Sequence, residues 1–335
     1  MSHIWRCPRC RGQLRAVLPT YTCVACDAEY CTIDGIPDFR IDAPSWIDCD
    51  EDRAHARFIA DSMAHDDLEH VIRYVFRVVR QRPDANVEYR ARRTLSEPTR
   101  VGREITGWLN QATRATPFLD VGCGPGALLA AAGANGRQGI GIDVSMVWLV
   151  VAKRLIESYG GVALLAAGFA ETLPLPDDSV GGVVSLDVIE HVGDPAVYLR
   201  EIDRVTAPGG ALALATPNRF SLAPEPHVRV WGVGWLPRPW QQAYAERMSG
   251  MSYAYVRLLA AREMQRLIRD NTAFDVCLVA PLLPDEEVAI AGPVRAAFAR
   301  VYNALLRYGA GRRAALYFGA FYRVIGTRRD MTPAR

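Results

Sequence analysis

Residues 118–126 read Phe-Leu-Asp-Val-Gly-Cys-Gly-Pro-Gly, and residues 139–143 read Gly-Ile-Gly-Ile-Asp. An apolar run that breaks into a glycine loop, followed one βαβ step later by a second run ending in an acid, is the pattern of a ligand held at the carboxyl ends of parallel strands. The glycines allow a helix N-terminus to approach that ligand closely. Working outward, strands are expected near 117–121, 138–143, 162–167, 180–187 and 210–216, and helices near 126–134, 145–158 and 195–205. Two later strands are expected at Phe274–Val279 and Tyr317–Thr327. The alternation is that of an α/β, doubly wound sheet.

Gly122, Gly124 and Ala127 also satisfy the looser Gly-x-Gly-x-x-Gly/Ala dinucleotide pattern, so the glycines alone do not choose the ligand. Asp120 does. A carboxylate two positions before the first glycine would repel a pyrophosphate and would attract the ammonium and sulfonium charges of S-adenosylmethionine. Asp143 has the position expected of an acid that grips ribose hydroxyls. With Gly126 in register, the stretch resembles the class I methyltransferases, whose first motif is acid-x-Gly-x-Gly-x-Gly. That resemblance implies a Rossmann-like, seven-stranded sheet with its last strand inserted antiparallel. It also implies S-adenosylmethionine as cofactor, held by Asp120, Gly122, Gly124, Gly126 and Asp143.

The third strand runs into Ala167-Gly168-Phe169-Ala170-Glu171. In the resembled family the position of Phe169 often carries an acid that meets the adenine amino group. Here a phenyl ring can only stack on the purine, with Ala170 offering backbone, or serve as core. The passage Val183 to Val192 is similar to methyltransferases of the ubiquinone-biosynthesis O-methylating group, which implies that Asp187 helps to hold the methionine moiety. His191 stands at this strand end and is the expected general base, with Glu190 as a second base or as its orienter. A packing or capping role for His191 competes with this. Transfer from a sulfonium is an in-line SN2 displacement, so alignment supplies much of the rate and a base is required only by an acceptor that must lose a proton.

Cys7-Pro-Arg-Cys10 and Cys23-Val-Ala-Cys26, twelve residues apart, predict a structural zinc ion in a closed S4 site. Cys31 is near enough to replace a ligand. Residues 5–40 resemble the ribbon of the tRNA-methyltransferase activator family. The expected organisation is a zinc ribbon over 1–45, a helical connector over 46–112, and the methyltransferase domain over 113–330 with a lid insertion near 219–260. The connector's Arg73, Arg77 and Arg80 read first as a solvated helix face; His55, His65 and His70 read as surface or packing residues.

The chain has 335 residues, 23% of them charged, and a net charge of +2. That balance makes no case for nucleic acid, although the basic residues are arginine except for Lys153. No signal-like or membrane-spanning apolar run is present, and a cytoplasmic protein is expected. The insertion carries Pro224, Pro226, His227, Trp231, Trp235, Pro237, Pro239 and Trp240. It reads either as a packed cap or, with Val228, Val230, Val233 and Leu236, as the wall of an apolar acceptor pocket or a peripheral membrane contact. Asn218 and Arg219 either meet the acceptor or pin the loop. A basic amphipathic helix is expected over 292–315, with Arg295 and Phe298 on its two sides. The function expected is methyl transfer to a small, partly apolar metabolite. The alternatives are a ribbon-guided rRNA or tRNA methyltransferase and a non-catalytic scaffold subunit; oligomeric state is not readable.

Overall fold

The computed structural model describes residues 4–81, 84–109, 117–283 and 293–330. Pro83 and Gln111, and the side chains of Arg295 and Phe298, lie outside the described residues. The chain forms two compact units, one built mainly from Met1–Ser185 and Arg200–Ala211, the other from Leu186–Leu199 and Leu212–Arg329.

The first unit opens with four short antiparallel strands, β1 (Leu14–Val17), β2 (Thr20–Cys23), β3 (Glu29–Ile33) and β4 (Ile36–Pro37). So small a sheet has little core, and an aromatic cluster supplies it. The rings of Trp5, Tyr21 and Tyr30 stand 5.6, 5.7 and 5.3 Å from that of Phe39. Helices α1 (Cys49–Ser62), α2 (Leu68–Tyr74) and α3 (Asp84–Leu109) follow. The helical connector expected over 46–112 is therefore divided, with three α-helices among its described residues. Asp67 accepts the His70 N–H at 2.7 Å, and this N-cap starts a new helix after the break.

Next come β5 (Phe118–Val121), α4 (Ala127–Gly133), β6 (Gly139–Asp143), α5 (Met146–Ser158), β7 (Ala163–Ala167) and β8 (Val180–Leu186). All the pairings here are parallel, and they place Asp120 opposite Gly141 and Asp143 opposite Ala167. Every residue of β5 is buried, as expected of a parallel strand covered on both faces. Gly141 lets α4 lie close, since a Cβ there would stand 2.6 Å from Leu129 and 2.8 Å from Leu165.

The remaining elements are α6 (Pro195–Val205), β9 (Thr206–Pro217), α7 (Arg238–Ser249), α8 (Ala261–Asn271), β10 (Phe274–Val279), α9 (Pro293–Leu305), α10 (Gly309–Phe318) and β11 (Phe321–Arg328). The seven-stranded sheet has the order β10-β11-β9-β8-β5-β6-β7, with β11 antiparallel to β10. It is the doubly wound sheet expected, late antiparallel strand included. Three local expectations fail. The strand expected from 210 already begins at Thr206. The last strand begins at Phe321 because residues 309–318 are helical. The 292–315 region is two helices that meet near Leu306–Tyr308. Among the described residues no helix is long and apolar enough to cross a membrane.

Candidate functional site

The glycine loop of the first unit is wound over the end of β6. Gly122 and Cys123 donate to the Ile142 carbonyl at 2.7 and 3.2 Å, and Gly126 donates to Cys123 at 2.8 Å. Gly122, Gly124 and Gly126 have φ of 73°, 48° and 78°, the left-handed region that side chains resist. Their surroundings differ. Around Gly124 a Cβ would meet nothing within 4 Å, whereas at Gly126 it would stand 2.8 Å from the Ala152 Cβ. The loop is thus open on one side, where a ligand can approach, and packed on α5 at the other. Gly126→Ala is expected to cost ~2–5 kcal/mol in a denaturant melt, adding left-handed strain to overpacking. An unchanged midpoint would refute that account.

Asp120 and Asp143 close the site. Asp143 accepts the Gly124 N–H at 2.7 Å through Oδ2 and the Ser145 N–H at 2.8 Å through Oδ1. Each oxygen keeps a lone pair for a hydroxyl. Asp120 is 5% exposed; burial and then the Asp143 charge push its carboxyl up to about 8. Burial also raises Asp143, against the pull of the Ser145 and Gly124 N–H groups and of Arg80. Two buried acids side by side favour a positively charged ligand over an anionic one. Phe169 is buried and its carbonyl accepts from Thr172; Ala170 follows it in the turn.

The N-terminal segment reaches this site. The Phe39 N–H donates to the Ala167 carbonyl at 2.8 Å, and Asp38 forms a parallel bridge with Ala167. Asp38 and Arg40 have fully buried side chains paired at 2.6 Å, with Arg53 2.7 Å from Asp38. Arg40 then donates to Asp52 at 2.7 Å and to the Val144 carbonyl at 2.9 Å. Asp52 accepts from the Ser145 hydroxyl at 3.0 Å and the Met146 N–H at 2.7 Å. A carboxylate from α1 thereby caps α5 beside Asp143. None of this relay was read from the sequence, because its contacts join residues from 2 to 104 positions apart and follow no local pattern. Of the connector arginines, Arg73 is paired with Glu69 and Glu88. Arg80 lies over the Trp148 ring.

Cys7, Cys10, Cys23 and Cys26 come together, with Sγ–Sγ separations of 3.7 Å for Cys7–Cys26, 3.4 Å for Cys10–Cys23 and 3.5 Å for Cys10–Cys26. A tetrahedral ion with Zn–S bonds of about 2.3 Å needs sulfur edges of about 3.8 Å, so the set fits zinc after slight expansion. The Tyr30 hydroxyl stands 3.0 Å from the Cys7 sulfur. Cys31 pairs across the sheet with Thr20, and the cluster does not include it.

The second unit carries another group. Strand β8 ends at Leu186, and Asp187 turns the chain with φ of 56°, its N–H donating to Ala215 at 2.9 Å. Glu190 follows, fully buried: Oε2 accepts from the Thr216 hydroxyl at 2.9 Å, while Oε1 has no hydrogen-bond partner. Burial and the Asp187 charge push it up to about 7. Glu190 does not orient His191, contrary to one of its expected roles. The Tyr255 carbonyl stands 3.3 Å from His191 Nδ1, and His227 Nε2 stands 3.1 Å from His191 Nε2. His227 comes from the insertion, held through Nδ1 by Glu225 at 2.5 Å. The Glu225 carboxylate is buried and also accepts the N–H groups of His227 and Val228 at 2.8 Å. Burial and the His227 charge lower His191, whereas the bond to Glu225 outweighs burial and raises His227.

Sequence reasoning undervalued His227 and missed Glu225, although an acid two residues before a histidine was a readable sign. The insertion's valines follow the packed-cap alternative. Val228, Val230 and Val233 pack with Ala245 and Tyr253 into a core of their own instead of lining a pocket. Trp231 and Trp240 are 60% and 64% exposed, and Trp235 stacks on Phe318. Asn218 bonds the Leu316 carbonyl and Arg219 the Gly234 carbonyl, so both pin the loop.

A methyltransferase-domain family matches residues 119–214. Over 110 residues the chain is 37% identical to a Mycobacterium tuberculosis protein named "Probable S-adenosylmethionine-dependent methyltransferase", a span of 33% of this chain and 39% of that one. Over 106 residues it is 41% identical to a ubiquinone biosynthesis O-methyltransferase of Pseudomonas paraeruginosa, covering 30% of this chain and 44% of that one. The chain thus spans less than half the length of these curated relatives. Among solved structures, a S-adenosylmethionine-dependent methyltransferase of Thermotoga maritima gives a TM-score of 0.45 at 20% identity, covering 78% of this chain and 100% of that one.

Proposed function

Because the chain carries, over residues 119–214, a domain of the methyltransferase family, we propose that it transfers the methyl group of S-adenosylmethionine to a small-molecule acceptor. The carrying observation is the open glycine loop flanked by two buried acids. Asp143 would hold the ribose, Asp120 the cationic methionine end, and the loop amides the remainder. Phe169 and Ala170 would flank the purine, and Asp187 the methionine backbone. The acceptor's oxygen or nitrogen attacks the methyl carbon in line, the carbon–sulfur bond breaks, and neutral S-adenosylhomocysteine leaves. The acceptor's proton goes to the Glu190–His191 element.

Similarity to a ubiquinone biosynthesis O-methyltransferase supports an acceptor with an acidic hydroxyl and an apolar body. The exposed tryptophans of the insertion could meet that body or a membrane interface. We assign structural zinc to the four N-terminal thiolates, a site suited to the reducing cytoplasm.

Calorimetric titration with S-adenosylmethionine tests the donor site: the wild type should bind and Asp143→Ala should not. Equal behaviour of the two proteins would reject it. The pH dependence has a defined sign. Below about 8 the ligand-free protein holds Asp120 protonated, and a cationic donor that needs the carboxylate must expel that proton. Affinity should therefore rise, up to about tenfold per unit, between about pH 6 and 8 and then level. A flat profile would exclude the ionic role. Between the ordinary 3.8 and about 8 the folded chain binds more protons at Asp120 than the unfolded chain, so the ligand-free protein loses stability as pH rises through that window.

A further inference from the structure

We propose that Glu190, His191 and His227 form a binding site for a divalent transition-metal ion. The tautomers carry the argument. The Tyr255 carbonyl facing His191 Nδ1 can only accept, and so can the Glu225 carboxylate facing His227 Nδ1, so both Nδ1 atoms carry the hydrogen. In the neutral rings, the form a metal ion selects, both Nε2 atoms are then bare lone pairs, and they face one another at 3.1 Å. A third lone pair joins them, because the fully buried Glu190 Oε1 has no hydrogen-bond partner and lies 3.9 Å from His227 Nε2. Three acceptors converging on one point repel one another and leave a buried carboxylate oxygen unsatisfied. A cation removes both costs.

The geometry suits one. With metal–nitrogen bonds of about 2.1 Å, a 3.1 Å separation gives a nitrogen–metal–nitrogen angle of about 95°. Contraction of the 3.9 Å Glu190–His227 contact by about 0.5–0.8 Å brings the carboxylate into the angular range of a third adjacent ligand. Outer-shell support is in place: Glu225 grips the far nitrogen of His227, the Tyr255 carbonyl that of His191, and the Thr216 hydroxyl the second oxygen of Glu190. Two imidazoles and a carboxylate select zinc, iron(II), cobalt(II) or manganese(II) over calcium, and leave coordination positions for an oxygen of a bound ligand. The site itself requires no assumption about methyl transfer. Its use rests on the reading above: an acceptor hydroxyl bound at an open position would become more acidic, and its proton would leave to solvent, with Glu190, His191 and His227 holding the ion.

The test uses the full-length protein with its thiolate zinc in place, titrated with Co²⁺ in the absence of any methyl donor. The expected result is a single equivalent of Co²⁺ with visible d–d absorption and no thiolate-to-cobalt charge transfer. His227→Ala should abolish that band while zinc content and circular dichroism stay as in the wild type. Glu225→Gln, which loosens only the outer support, should weaken Co²⁺ by about 10–100-fold. Should His227→Ala fail to fold, Glu190→Gln, close in shape and altering an unpartnered oxygen, is expected to weaken Co²⁺ at least tenfold. The proposal is overturned if the wild type takes up Co²⁺ only at the thiolates, or if these variants bind it as the wild type does. A failure of S-adenosylmethionine to bind would sink the methyl-transfer reading and leave this result standing.

Discussion

Cys7→Ser, or stripping of the thiolate ion by a chelator, is expected to unfold residues 5–40 and to weaken S-adenosylmethionine binding at the same time. The first effect follows from size. Four short strands and one aromatic cluster around Phe39 bury too little to offset the entropy of ordering the segment. An ion held at a thousandfold above its Kd contributes about 4 kcal/mol. The loss should stay below the ~10–16 kcal/mol typical of isolated zinc-finger peptides, because in the intact protein the contacts of Asp38, Phe39 and Arg40 with Ala167 and Val144 share the work of holding the segment. The second effect follows from the relay. Arg40 joins the fully buried Asp38 to Asp52, and Asp52 caps the helix that begins beside Asp143. Once the ribbon frays, the buried Asp38–Arg40 pair is exposed to water and the cap loses its support. Metal content, thermal melting and donor titration on one preparation check both effects. Zinc loss with an unshifted melt and unchanged donor affinity would show that the ribbon and the donor site are independent.

Turnover of His191→Ala should fall by about 10²–10⁴-fold at unchanged donor affinity. That range corresponds to about 3–5 kcal/mol of barrier. Little of it can come from folding, because the ring's polar contacts are only a 3.3 Å approach to a carbonyl and a 3.1 Å approach to another imidazole. Removing one of two opposed lone pairs relieves repulsion. The variant should melt within about 1 kcal/mol of the wild type, which makes a fall in kcat interpretable. A simple base and a metal ligand both predict the fall but differ in its company. If His191 acts only as a base, the cobalt equivalent survives the substitution; if it is a ligand, band and activity disappear together. A rate near that of the wild type would reject both roles.

The donor half of the candidate site was legible because its determinants are local. Asp120, three positive-φ glycines and Asp143 lie within 24 residues, in a pattern dictated by strand period, loop conformation and the carboxyl-end rule for parallel sheets. The four ribbon cysteines were legible for the same reason, since each knuckle is set by a two-residue spacing. The Glu–His cluster was only half readable. Glu190 and His191 stand beside each other in sequence, but His227 arrives 36 residues later from an insertion without periodic pattern. The insertion's valines left two readings open, because apolarity does not say whether a side chain lines a pocket or fills its own core.

The amino-acid sequence by itself therefore determined the sheet, the glycine loop and the thiolate quartet, through short-range stereochemistry that holds wherever the segment is placed. Tertiary structure alone decided what meets across long separations. It paired Arg40 with both Asp38 and Asp52, gave Glu225 to His227, and set Glu190 Oε1 3.9 Å from His227 Nε2 without a hydrogen-bond partner. The cause is physical: these contacts depend on burial, and burial is created only when distant segments pack and exclude the water that would otherwise satisfy each polar group separately.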